Sequence, residues 1–265
     1  MKFLHILKEN SKLILFLSID DLKKRYAGSS LGIFWAFVQP CVTILIYWFV
    51  FQVGLKSTAP GNGNIPFIVW IMCGLIPWFL YSDCLNAITN VFIEYSYLVK
   101  KVVFNIEILP VIKLISCLVV HLFFILLLLL VMAIFGYFPT LSFLQIIYYL
   151  ICSIALVLSL GYIFSSIAVF FRDMGQFVQV ALQAGMWLTP ILWAFSTIEG
   201  NWFAPVFKLN PMFYIVEGYR TALLDGIWFW QRGWVTVYFW ALIVVLTFVA
   251  NYVFKKLRPH FADVL

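Results

Sequence analysis

The residues able to do chemistry in this chain are few and lie far apart. Three cations in a row, Lys23, Lys24 and Arg25, are followed by Tyr26. At a membrane surface such a cluster attracts a phosphate-bearing head group, although ordinary anchoring to anionic lipid explains the same charges equally well. Asp83 stands in a long apolar run, with Asn86 and Asn90 after it on a related helical face. A carboxylate there has to face a bundle interior or an aqueous path, so it reads either as an inter-helix hydrogen bond or as a polar lining near an inner mouth. His121 also lies in an apolar run. Without a chain of Asp, Glu or His partners it reads as a neutral imidazole bonded to a neighbouring helix, not as a proton relay. Arg172 and Asp173 open the greasy stretch FFRDMGQFVQVALQAGMWLTPILW, residues 170–193. A charged pair of this kind marks a wet turn before a helix enters lipid, with Asp173 suited to the positive end of the helix dipole.

No catalytic or cofactor motif accompanies these groups. The chain has no GxxxxGK[ST] phosphate loop, no GxGxxG, no HExxH and no GxSxG, and no carboxylate pair on a candidate loop that would suit hydrolysis. Cys41, Cys73, Cys84, Cys117 and Cys152 all fall inside apolar runs without metal-ligand spacing, and read as small core residues. No enzyme, metal site or resident cofactor is expected.

The elements that must position these residues follow from composition. Hydrophobic residues make up 65% of the 265 and charged residues 11%, against roughly 25% charged in a soluble domain. Too few polar side chains exist to cover a water-facing surface, which predicts an all-α polytopic membrane protein. Apolar runs near residues 31–55, 66–90, 111–136, 142–170, 176–198 and 234–254 predict six transmembrane helices. Pro40 and Pro77 fall inside two of them, which is tolerated where neighbours satisfy the freed carbonyls. The N-terminus lacks the pattern of a removable signal peptide.

An even number of spans puts both termini on one side. One set of loops holds thirteen of the 17 Lys and Arg residues, among them Lys23, Lys100 and Lys255, and the other holds Lys56, Lys208, Arg220 and Arg232. This bias places both termini in the cytoplasm. It also explains the net charge of +6 as topology, with no need for nucleic acid.

Three segments do not span. Residues 1–30 predict a cytoplasmic interfacial amphipathic helix, with Phe3, Leu4, Leu7, Leu13, Ile14, Leu17 and Leu22 as its apolar side; residues 31–265 then form the transmembrane domain. Residues 91–110, with Glu94, Lys100, Lys101 and Glu107 in half-apolar sequence, predict a cytoplasmic helix that docks against something or else a solvated loop. Residues 199–233 are expected outside. There Asn210 as N-cap and Pro211 at the first helical position start a short amphipathic helix, ended by Asp225 and Gly226. Fifteen residues reach only about 22 Å, so this piece and the upstream WFAPVFKL predict a re-entrant outer hairpin between spans five and six.

Aromatic residues reach 20%, with 11 Trp. Trp70, Trp78, Trp228, Trp230 and Trp234 sit near span ends, as an interfacial belt requires. Phe34, Trp35, Phe37 and Tyr47 in span one, and Trp187 and Trp193 in span five, either pack against lipid or line a passage on whose aromatic faces sugar rings stack and slip.

Three blocks carry a family resemblance: DLKKRYAGSSLGIFWAFVQP (residues 21–40), the 170–193 stretch, and LNPMFYIVEGYRTALL (residues 209–224). Together, in this order, they resemble the membrane subunit of ATP-binding-cassette exporters, in the branch that moves O-antigen, capsular polysaccharide and teichoic acid. The resemblance implies a bacterial inner-membrane permease working as a homodimer. Two copies of a cytoplasmic ATPase subunit would supply ATP and magnesium, with a lipid-linked polymer as substrate and membrane lipid around it. It implies that Lys23, Arg25, Tyr26, Gly28, Leu31, Gly32 and Trp35 border the cytoplasmic mouth, with Lys24 beside them near the polymer's head group. It further implies that residues 94–107 couple to the ATPase, with Arg172 and Asp173 as a secondary contact, and that Asn210, Pro211, Tyr219 and Arg220 belong to an external gate. Asp20 stands where the family often has Arg, so no contact is carried over to it. Two other readings are weighed: a permease of the same architecture for drugs or small lipids, which calls for an aliphatic pathway, and a membrane-embedded glycosyltransferase, which calls for an acidic loop motif absent here.

Overall fold

The computed structural model describes residues 2–60, 65–100 and 104–265; Lys101 and the side chains of Phe3 and Leu4 lie outside the described set. Every regular element among the described residues is helical. In chain order these are α1 (Lys2–Glu9), α2 (Ser11–Arg25), α3 (Trp35–Trp48), α4 (Phe67–Thr89), α5 (Val91–Glu94), α6 (Ser96–Val99), α7 (Leu109–Ile134), α8 (Gln145–Ala168), α9 (Met174–Leu188), α10 (Ala204–Lys208), α11 (Pro211–Arg220), α12 (Trp234–Leu257) and α13 (Phe261–Val264).

Five helical stretches are long and apolar enough to cross a membrane: Gly32–Gly54, Phe67–Thr89, Ile106–Ile134, Leu141–Ala168 and Trp234–Val264. They coincide with five of the expected runs because hydropathy alone specifies them. The chain is therefore a multi-pass membrane protein. α4 is the central post, buried along most of its length and packed against α7, α8, α9 and α11. Pro77 lies inside α4 and Pro40 inside α3, and both helices continue through them.

The expected fifth run, 176–198, is not one continuous helix. α9 holds 15 residues, about 22 Å, and stops at Thr189, whose backbone is extended. The cause is Pro190: the residue before a proline is driven out of the helical region. The free carbonyls beyond the break are taken up by side chains, since Arg220 donates through Nη1 to Pro190 O and through Nη2 to Ile191 O at 2.6 Å. Asn210 donates to the Thr189 hydroxyl at 2.8 Å.

The N-terminal segment also departs from expectation. It is two helices broken at Asn10, and α2 does not turn a purely apolar face inward. Ile14, Ser18, Asp21 and Leu22 are buried, chiefly against α7, while Leu13, Leu15, Phe16 and Ile19 are exposed. Polar residues occupy the inner face because α7 offers them partners: Ser18 donates to Ile112 O at 3.1 Å, and Ser116 donates to Ser18 O at 2.8 Å.

At this end of the bundle a separate apolar cluster gathers Ile14, Phe92, Tyr95, Ile108, Phe254 and Phe261. Segments from both ends of the chain thus meet beside α5 and α6.

α11 begins at Asn210, whose side-chain oxygen accepts from Met212 N at 3.0 Å, with Pro211 in the first turn. It wedges between α4, α8 and α12. Gly218 permits the close approach to α8, because a Cβ there would overlap the Tyr149 ring. Its Tyr219 hydroxyl lies 3.4 Å from His121 Nε2, halfway along α7.

Candidate functional site

The site is built where the C-terminal end of α2 meets α3, α4 and α7. A turn through residues 26–34 carries the chain from α2 into α3. It contains Gly28 at φ 90° and Gly32 at φ 51°, left-handed conformations that glycine adopts at little cost. The Ser29 hydroxyl donates to Tyr26 O at 3.2 Å and fixes the start of the turn.

Behind this turn opens a vestibule of about 710 Å³, within the range of small-molecule sites. α2 contributes Asp21, Lys24 and Arg25, followed by Tyr26; α3 contributes Trp35, Gln39 and Thr43; α4 contributes Phe79, Asp83 and Asn86; Glu94, Tyr95, Tyr97 and Lys113 complete the wall. Three cations and three carboxylates face the same space, so the vestibule is polar and not strongly positive. Aromatic faces alternate with amides, a hydroxyl and carboxylates.

Its floor is an ion-pair network. Lys113 Nζ donates to Asp21 Oδ1 at 2.6 Å and to Glu94 Oε2 at 2.5 Å. Tyr95 donates its hydroxyl to Asp21 Oδ1 at 3.0 Å, and Lys113 stands 5.4 Å from the Tyr95 ring centroid. Burial, reinforced by the neighbouring Asp21 carboxylate, holds the Tyr95 hydroxyl above its ordinary pKa and therefore protonated. Arg25 reaches Cys117 Sγ at 3.6 Å and comes within 3.8 Å of Asp21. Lys24 pairs with Asp20 one turn back, at 2.7 Å, and this bond raises its pKa. The network ties α2, α5 and α7 into one unit.

Of the residues singled out by sequence, Lys24, Arg25, Tyr26, Trp35, Asp83 and Glu94 line the vestibule. Lys23 is exposed on α2 outside it, and Phe34 is exposed nearby. Phe37 packs on Phe123 with ring centroids 4.5 Å apart, and the Tyr47 hydroxyl faces Met186 Sδ at 3.9 Å. Trp187 is exposed, and the indole of Trp193 donates to its carbonyl at 3.0 Å. Lys100, Arg172 and Asp173 are exposed; Glu107 accepts from Arg258. Tyr219 and Arg220 are fully enclosed. The Arg220 guanidinium lies 3.7 Å from the Trp70 ring centroid and bonds Glu217 at 2.9 Å, against Gly74 of α4.

Asp21, Lys113, Trp70, Gly74 and Glu217 were not foreseen as functional. Lys113 carried a signal, since a lysine inside an apolar run needs a buried counter-charge. Asp21 is four residues before Arg25 on one helix face, the spacing of an i,i+4 pair.

Comparison with known proteins gives a concordant set of similarities. The family model described as ABC-2 type transporter matches residues 12–224. The chain is 27% identical over 96% of its length to the O-antigen export system permease protein RfbA of Klebsiella pneumoniae, covering 95% of that protein. It is 28% identical to the protein of the same name from Myxococcus xanthus, with 95% of this chain and 94% of the relative aligned. It is 26% identical to the polysialic acid transport protein KpsM of Escherichia coli over 79% of this chain and 80% of that one.

Proposed function

This chain belongs to the ABC-2 type transporter family, and from that premise we propose that it is the permease subunit of an ATP-driven exporter of a lipid-linked polysaccharide. The observation that carries the reading is the vestibule. Trp35, Tyr26 and Tyr97 offer ring faces on which sugars stack, while Asp83, Gln39 and Asn86 offer acceptors and donors to sugar hydroxyls. Its mixed polar lining favours carbohydrate over a drug or a small lipid, for which an aliphatic passage is required. The relatives named for O-antigen export and polysialic acid transport point to the same class of cargo. O-antigen, capsule and teichoic acid are the polymers in view.

In this account the end holding α1, α2, α5 and α6 is cytoplasmic, as the concentration of Lys and Arg there supports. Exposed Lys23 and the adjacent Lys24 attract the phosphate of the lipid carrier, and the glycan enters beside Arg25 and Tyr26. The remaining crossing is made by α9 together with the irregular, turn-rich segment after Pro190. α10 and α11 form a re-entrant outer hairpin, with Asn210, Pro211, Tyr219 and Arg220 holding it against α4 and the end of α9. Two copies of the chain enclose the pathway in the inner membrane. ATP and magnesium belong to a separate cytoplasmic ATPase, whose pull reaches this chain through Glu94, Lys100, Lys101 and Glu107, with Arg172 and Asp173 at the neighbouring turn. Because Lys113 bonds both Glu94 and Asp21, a displacement at the ATPase contact moves the vestibule wall directly.

The test is deletion of the gene in its host followed by complementation. Loss of surface polymer with accumulation of the lipid-linked form inside, both reversed by the intact chain, is expected; normal surface polymer would overturn the reading.

A further inference from the structure

A second cavity, also of about 710 Å³, opens between α8 and α12 and shares no lining residue with the vestibule. We propose that it binds one anionic phospholipid of the cytoplasmic leaflet, with an acyl chain between the two helices and its phosphate at Lys255 and Arg258.

The walls explain the acyl chain. Ala155 and Leu158 on α8, and Ala250 and Phe254 on α12, line the deeper part. Among the polar groups here, Ser159 and Thr247 face each other at 3.0 Å and bond the carbonyls of Ala155 and Ile243, and Tyr162 donates its hydroxyl to Glu107 O at 2.5 Å. Their hydrogen-bonding needs are met within the protein, so an apolar chain can lie over them without a desolvation penalty. Both walls belong to membrane-crossing helices, and a groove open to hydrocarbon is filled by lipid rather than water.

The rim explains the charge. Lys255 is exposed and has no ion-pair partner among the described residues. Arg258 is bonded to Glu107, and the Asn105 and Asn251 amides stand beside them. Two cations against one carboxylate leave a net positive rim at the end of α12, where basic side chains reach lipid phosphates. Ile6 of α1 closes the same cavity, so a bound lipid touches the N-terminal segment as well.

The experiment uses the full chain in nanodiscs containing equal phosphatidylglycerol and phosphatidylcholine, followed by native mass spectrometry of retained lipid. The wild-type chain should retain phosphatidylglycerol preferentially. Lys255→Gln, an exposed change, should cut that preference about fivefold, and Ala250→Trp should abolish retention by filling the groove. Lys8→Gln, away from the cavity, should leave it intact. Equal retention of the two lipids, or an unchanged preference in Lys255→Gln, would overturn the proposal. So would displacement of the lipid by millimolar inorganic phosphate, which would assign the rim to a soluble anion. Should Ala250→Trp fail to fold, the Lys255→Gln arm decides alone.

Discussion

Replacing Lys113 by methionine probes the network beneath the vestibule most sharply. The lysine side chain is 6% exposed and its partner Asp21 5%, whereas Glu94 is 48% exposed. Removing one member of a buried ion pair costs about 3–5 kcal/mol, because the other charge is left without compensation. Asp21 keeps the Tyr95 hydroxyl at 3.0 Å and Arg25 at 3.8 Å, which brings the expected loss to the lower end, about 3 kcal/mol. The half-exposed Glu94 pair adds at most about 1 kcal/mol. Asp21→Asn in the same chain removes the stranded charge, so the double variant should be more stable than Lys113→Met alone, with a coupling energy of about 1–3 kcal/mol. Denaturant titration of the purified chain in detergent, followed by tryptophan fluorescence, measures all corners of the cycle. A loss under about 1 kcal/mol for Lys113→Met, or a double variant no more stable than the single, would refute the reasoning from buried charge.

Three other substitutions test how the α9 break and α11 are held. Arg220→Ala strands the Pro190 and Ile191 carbonyls and leaves Glu217 without its partner, and should cost about 3–5 kcal/mol; a thermal melt in detergent checks it. Gly218→Ala forces the Tyr149 ring aside and should cost about 1–3 kcal/mol, with recovery expected when Tyr149 is also cut to Leu in the same melt. Asn210→Ala removes the N-cap of α11 and the bond to Thr189, for a loss of about 1–2 kcal/mol; increased hydrogen exchange confined to the start of α11 is the readout.

Much of the fold was legible because lipid imposes a coarse rule. Runs of apolar residues have to be helices of membrane-spanning length, and five of them appear, four within about five residues of their expected bounds and the last continuing past 254 to Val264. The fifth expected run, 176–198, misled because hydropathy ignores backbone: Thr189-Pro190 is apolar enough to sit in the average yet ends a helix. The signal lay in the dipeptide. α11 was legible in detail through Asn210-Pro211, a local signal that needs no tertiary knowledge. α2 was not, since its inner face depends on what α7 presents. Ser18 and Asp21 are buried only because Ser116 and Lys113 meet them, more than 90 residues away. The vestibule was half legible. The motif around Lys24, Arg25, Tyr26 and Trp35 pointed to it, as did Asp83 and Asn86 on one face of α4, while Gln39, Thr43 and Tyr97 are brought to the wall by helix packing that sequence spacing does not encode.

Passage of a glycan through this vestibule can be caught by site-specific photocrosslinking in living cells. A photoreactive residue in place of Gln39, which faces the cavity, should capture the lipid-linked polymer and yield a glycan-bearing adduct. The same group in place of Phe248, which is 72% exposed on the side of α12, should capture lipid and no glycan. Absence of a glycan adduct at Gln39 while surface polymer is still being exported, or equal glycan capture at both positions, would contradict the account.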